Sequence, residues 1–303
     1  MSTLQISEDN PFLTLITETN NDAVSNIQRF VIRDYVKPLY QDQLQSRYEN
    51  HRVNRNAQQA AKILAPDFAG WDLDEILMRL DGPTKEEGFV DPRNCLVIWA
   101  RPPSPIRDLV EFVQSELRRV APTLWFMPPE NLHTTVLEIA HSLTEEQIEG
   151  LVNTLESSQN ISSADIADHA FTHRTRLVKP MVGFDSAAMA LTFVPAAGEA
   201  SDAQRSIADE TYTHLTIARF VTQDGFVEPA AVGEEHLNPS KVKELIDKIE
   251  EINQKLQDED WPSENGTIKA GGEWLIGQEK GLAIRRGRLW YGGGNDVQLG
   301  KGY

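Results

Sequence analysis

The polar and apolar positions divide the chain into a helical first third and a mixed remainder. Val24, Ile27, Val31 and Tyr35 fall at helical spacing after Asp22, a residue type that caps helices, and Pro38 ends or kinks that helix. Residues 72–80 predict a second, short helix stopped by Asp81-Gly82-Pro83. From Asn94 the pattern changes. Leu96–Ala100 is a continuous apolar run and reads as a buried strand. Ser104-Pro105 opens a helix with Leu109, Phe112, Val113, Leu117 and Val120 on one face. Leu132–Ile139 alternates as a strand, and Thr144 with Gln147 three residues on has capping-box form at the head of another helix. Leu177–Phe184 and Met189–Val194 predict a strand pair turning at Asp185-Ser186. The small, polar Ala196–Ala208 reads as a mobile loop, and Thr213–Phe220 as a strand. Asn238-Pro239 begins a long helix whose buried stripe is Val242, Leu245, Ile246, Ile249, Ile252 and Leu256. Glu273–Ile276 and Arg288–Tyr291 are the last predicted strands.

Helices and strands follow one another here without regular βαβ alternation, so the fold class expected is α+β and not a doubly wound sheet. The expected organisation is a helical extension over residues 1–90 and a main domain over 91–303.

Composition narrows the functional classes. The chain has 303 residues, 40% of them hydrophobic, enough for a sizeable core. Its one cysteine, Cys95, lies in the apolar run and reads as a buried small hydrophobe. One cysteine rules out both an internal disulfide framework and a cysteine-rich zinc site. The first residues show neither a basic segment nor an apolar one, and no apolar run approaches the roughly 20 residues that span a bilayer. The expectation is an intracellular protein, cytoplasmic or nuclear, free of membrane and favouring a monomer. A formal charge of −17 argues against a broad electrostatic hold on duplex DNA or long RNA. A local site for a small phosphate ester, a nucleotide or an RNA end stays open. Basic residues gather late in the chain, at Lys280, Arg285, Arg286, Arg288 and Lys301.

Two short segments combine these elements with chemistry. Leu132-His133-Thr134-Thr135-Val136 and Thr213-His214-Leu215-Thr216-Ile217 each place a histidine and a threonine two residues apart. On a strand those two share a face, and the apolar neighbours anchor the other. Side by side, such strands converge two imidazoles and two hydroxyls. One neutral imidazole can take a proton from water, the other, as imidazolium, can protonate a leaving oxygen, and the hydroxyls can donate to the phosphoryl oxygens. The candidate catalytic residues are therefore His133, Thr135, His214 and Thr216, with no cofactor and no metal ligand called. Tyr212 shares the His214 face and is a candidate for stacking on a base or ribose. Arg219, an odd number of residues from His214, points away from it by strand parity. His173-Arg174-Thr175 repeats the spacing but has polar flanks and reads as a solvated turn. Arg285, Arg286 and Arg288 read as a solvated basic edge.

The paired H-x-T segments resemble the two-histidine (2H) phosphoesterase superfamily, which includes 2′-5′ RNA ligase-like proteins and cyclic nucleotide phosphodiesterases. The strand pair around Leu177–Phe184 and the run Tyr212–Phe220 resemble the family's central hairpin and second-motif strand. The likeness spans roughly residues 94–291. It implies two pseudo-symmetric lobes with antiparallel sheets around a central cleft. It also implies metal-independent hydrolysis of a cyclic phosphate, such as a nucleoside 2′,3′-cyclic phosphate, or of a short oligonucleotide. The family's helix between hairpin and second motif has no counterpart in Ala196–Ala208. Two alternatives remain open at this point: acid–base chemistry on a non-phosphate metabolite, and a module that holds a nucleotide without turnover.

Overall fold

The computed structural model describes residues 39–157, 162–172, 174–197, 214–229 and 235–303. The helix expected after Asp22, most of the Ala196–Ala208 loop, His173 and Tyr212 lie outside the described residues.

The elements run α1 (Leu39–Ile63), α2 (Glu75–Asp81), β1 (Asn94–Ala100), α3 (Ser104–Val120), β2 (Trp125–Phe126), β3 (Thr134–Leu143) and α4 (Glu145–Glu156). Then come α5 (Ser163–Ala167), α6 (His169–Thr172), β4 (Arg176–Phe184), β5 (Ala188–Pro195), β6 (His214–Arg219), β7 (Val227–Pro229) and β8 (Glu235–Leu237). The last are α7 (Pro239–Asp260), β9 (Glu273–Leu275), β10 (Leu282–Gly287) and β11 (Asn295–Leu299).

The fold class is α+β. One four-stranded sheet has the order β11-β10-β1-β3 and a second, five-stranded one the order β2-β6-β5-β4-β9, with antiparallel pairing throughout. The chain crosses between them repeatedly, and one crossing leads into the first H-x-T segment. β2 pairs with β6 in the second sheet, and the backbone then runs through a 3-10 turn at Pro129–Asn131 into β3, the edge of the first. The Met127 N–H donates to the Ile217 carbonyl at 2.9 Å, and buried Gln114 of α3 donates to both the Met127 and Ile217 carbonyls. Those bonds satisfy carbonyls that would be costly to bury unpaired and hold β3 against β6.

Local chemistry explains most boundaries. Thr144 and Gln147 form the expected reciprocal capping box at α4. Asn238 accepts from Ser240 and Lys241 N–H at the head of α7, whose stripe from Val242 to Leu256 is buried. Asp74 caps α2 through Leu77 N–H.

One expected strand is displaced. Arg288–Tyr291 is a turn, and the strand precedes it as β10. The run Arg288-Leu289-Trp290-Tyr291 has strand-prone aromatics, but it bends into three consecutive glycines. Two of these, Gly292 and Gly294, take the left-handed φ values of +102° and +76° that suit a tight turn.

The described residues ahead of β1 pack on the rest of the fold. Ile63, Trp71 and Leu77 are buried in the same core as Leu177, Leu191 and Leu215, and Trp71 stacks on Phe220 with ring centroids 3.9 Å apart. Helix α1 lies across β4 and β5. Arg52 reaches the carbonyls of Lys179 and Thr192, and its burial lowers its pKa to about 10. Gly183 keeps the approach open, since a Cβ there would sit 3.1 Å from Thr192 Cγ2. Among the described residues, no helix is long and apolar enough to cross a membrane.

Candidate active site

The residues leading into β3 and those of β6 show the same division of faces. Leu132, Thr134 and Val136 are buried, while His133 and Thr135 stand half-buried on the other side. On β6, Leu215 and Ile217 are buried, Thr216 is half-buried and His214 keeps an edge open to solvent. The two strands pack together although they belong to different sheets. The structure thereby brings His133 and His214 close enough that charge on His214 opposes charge on His133.

Each histidine is held differently. The His133 Nδ1 lies 2.7 Å from the Asn131 carbonyl. A carbonyl only accepts, so Nδ1 carries the proton and Nε2 presents its lone pair. Beneath the ring lies Trp99, stacked at 3.6 Å and nearly parallel at 12°. Trp99 pairs in register with Thr135, so indole, imidazole and hydroxyl share one face of the first sheet. Burial pushes the His133 pKa down to about 4, with Arg101, Arg285 and His214 adding to the shift and the Asn131 carbonyl opposing it. For His214, packing around the ring lowers the pKa first, and the charges of Arg55 and Arg219 lower it further.

Arg219 corrects the parity reading. Thr192 pairs with His214, Ala190 with Thr216 and Ala188 with Arg219, while the register slips by one residue between the last two pairs. The extra residue, Ile217, is a β-bulge. It returns Arg219 to the face of His214 and Thr216, where simple alternation would have put Ala218. There Arg219 pairs with Asp74 at 3.3 Å, beside the Tyr291 ring, whose hydroxyl donates to the same carboxylate. A bulge of this kind leaves no mark in the residue types of the strand.

Arg285 is likewise not on a solvated edge. It is buried, pairs with Asp296 at 2.8 Å, bonds the Gly293 carbonyl and lies 4.8 Å over the Trp99 ring. Arg286 and Arg288 do turn outward, toward Glu149 and the Asp91 carbonyl. Arg55, from α1, pairs with Asp185 at 2.8 Å in the β4–β5 turn. The acidic chain thus concentrates Arg55, Arg101, Arg219 and Arg285 around its two histidines, a setting for a phosphate-sized anion. Among the described residues, no three His, Cys, Asp or Glu side chains converge as a metal-binding group.

No family model matches the sequence, and no curated protein matches it. Twelve chains among solved structures are similar, and three of them, all at low identity, serve as examples. One is a conserved protein of unknown function from Agrobacterium tumefaciens strain C58, with 12% identity over 75% of this chain and 99% of that one, at a TM-score of 0.40. The others are of Kluyveromyces marxianus Usb1. With uridine monophosphate it has 11% identity, coverage of 69% and 98%, and a TM-score of 0.32. Without it the values are 11%, 69% and 99%, and 0.30. Likeness at this level leaves the function to be argued from the site.

Proposed function

We propose that this chain is a metal-independent phosphodiesterase that opens a cyclic phosphate, such as a nucleoside 2′,3′-cyclic phosphate, or cleaves a short oligonucleotide. The supporting observation is the packing of β3 on β6, two strands from different sheets that carry the H-x-T segments, with the imidazoles within reach of each other's charge. In this reading His133 is the base and His214 the acid. The oxygen of a water molecule bonds to phosphorus and passes a proton to His133 Nε2. The phosphorus–oxygen bond to the leaving group breaks, and that oxygen takes a proton from the His214 imidazolium. Water is added across one ester bond, and solvent exchange resets both rings. Thr135 and Thr216 donate to the non-bridging oxygens as charge gathers there.

The pKa shifts give this mechanism a distinctive pH profile. His133 must be neutral, so kcat/KM is expected to rise with pH through about 4. His214 must be charged, and its pKa lies below the ordinary histidine value, so kcat/KM is expected to fall again as pH rises through a point under 6.5. The optimum of kcat/KM is therefore acidic. Bound phosphate favours the imidazolium and should carry the falling limb of kcat to higher pH. Initial rates on a 2′,3′-cyclic nucleotide between pH 3.5 and 8.5, measured in EDTA, test both points. A profile still rising above pH 7, or activity abolished by EDTA and restored by a divalent ion, would count against the assignment.

A further inference from the structure

Next to His133 lies a cavity of ≈ 330 Å³ whose walls include Leu132, Arg101, Arg107, Lys280, Glu130 and Glu279. Its charges are not balanced as they are elsewhere in the cleft. Arg55, Arg219 and Arg285 each have an aspartate partner, at Asp185, Asp74 and Asp296. In the cavity, Arg107 is matched by Glu279 at 3.3 Å, and Glu279 also accepts the Ser104 N–H at the head of α3. Arg101, by contrast, donates to a neutral group, the Glu130 carbonyl, at 2.7 Å. Lys280 acts on the same Glu279 carboxylate, which its charge and that of Arg107 help keep ionised, so two cations share one acid, while among the described residues Arg101 has no carboxylate partner. The Glu130 carboxylate lies on the exposed rim, so the lining carries three cations against two carboxylates.

Arg101 is held in place. Arg101 lies 5.6 Å over the Trp99 ring, and the same ring stacks at 3.6 Å on His133, so this guanidinium and the proposed base contact one indole. Lys280 follows Glu279, which is tied to the head of α3, and its side chain is exposed at the cavity. Three cations against two carboxylates in a cavity of ligand size offer the donors a phosphate group needs.

We propose that this cavity binds a second phosphate of the substrate, flanking the scissile one, with Arg101 and Lys280 as its ligands. The inference rests on the phosphodiesterase reading of His133 and His214, and it names the substrate class as nucleotides or oligonucleotides bearing at least two phosphates.

The test compares kcat/KM for adenosine 2′,3′-cyclic phosphate with and without a 5′-phosphate, in the wild-type protein and in Arg101→Gln and Lys280→Gln. A charge-assisted contact corresponds to about a 10- to 100-fold effect. The wild-type protein should favour the 5′-phosphorylated substrate by that factor, and in each variant the ratio should collapse toward one. Calorimetric titration of adenosine 3′,5′-bisphosphate gives a readout that needs no turnover, and Lys280→Gln should weaken it about tenfold or more. Equal kcat/KM for the two substrates in the wild-type protein would overturn the subsite and leave the phosphodiesterase reading intact. Turnover of neither substrate would overturn that reading instead. The titration would then decide the subsite, with weaker binding to Lys280→Gln supporting it and unchanged binding overturning it.

Discussion

His133→Ala and His214→Ala should each lower kcat on a 2′,3′-cyclic nucleotide by roughly 10²–10⁴-fold, the usual worth of a positioned acid or base. The two losses should not multiply. Acid and base act on one transition state, so the double variant should be little worse than either single one. Thr135→Ala and Thr216→Ala should cost less, up to roughly 10²–10³-fold, the scale for removing one oxyanion donor. His173→Ala should be almost silent, because that H-x-T has polar flanks and no apolar anchors to fix it. Circular dichroism should show the His214 variant folded, since that residue is exposed. If His173→Ala abolished turnover while His214→Ala retained it, the second half of the site would have to be rebuilt around His173.

The largest effect on stability is expected from Trp99→Ala. The indole is 3% exposed and fills the space between His133, Arg285 and Ala283. Truncating a buried tryptophan leaves a cavity and costs about 3–5 kcal/mol. For a chain of this size, about 2–4 °C is lost per kcal/mol, so the melting temperature should fall by roughly 10 °C. Activity should fall as well at temperatures where the variant is folded, because the His133 ring loses its platform. Trp99→Phe keeps a flat aromatic surface and should recover most of both. A Trp99→Ala protein that melts with the wild type would show that the ring is not packed as described.

Much of this was legible in the sequence because it depends on short-range periodicity. The alternation of Leu132, Thr134 and Val136 against His133 and Thr135 needs five residues to be seen, and the buried faces follow it. The capping box of Thr144 and Gln147 and the apolar stripe of α7 are equally local. What stayed hidden depends on pairing across the chain. Arg219 shares the face of His214 and Thr216 because Ile217 bulges against β5, a property of two strands and not of one. Arg55 reaches the β4–β5 turn across 130 positions, so a reading of the first third as a plain helical extension gives it no chemistry. Trp99 in its apolar run looks like any core residue until its register with Thr135 sets it under His133. Strand β10 was masked by composition. Leu282-Ala283-Ile284-Arg285-Arg286-Gly287 lacks polar alternation, while the aromatics after it look more like a strand than the turn they form.

The most direct measurement of the central claim is phosphorus-31 NMR of adenosine 2′,3′-cyclic phosphate incubated with the wild-type protein in excess EDTA at pH 5, beside the His133→Ala His214→Ala double variant. The expected result is that the wild-type protein replaces the cyclic-phosphate resonance with that of a phosphomonoester, while the double variant leaves it unchanged. Persistence of the cyclic signal with the wild-type protein, or equal conversion by the double variant, would contradict a two-histidine phosphodiesterase.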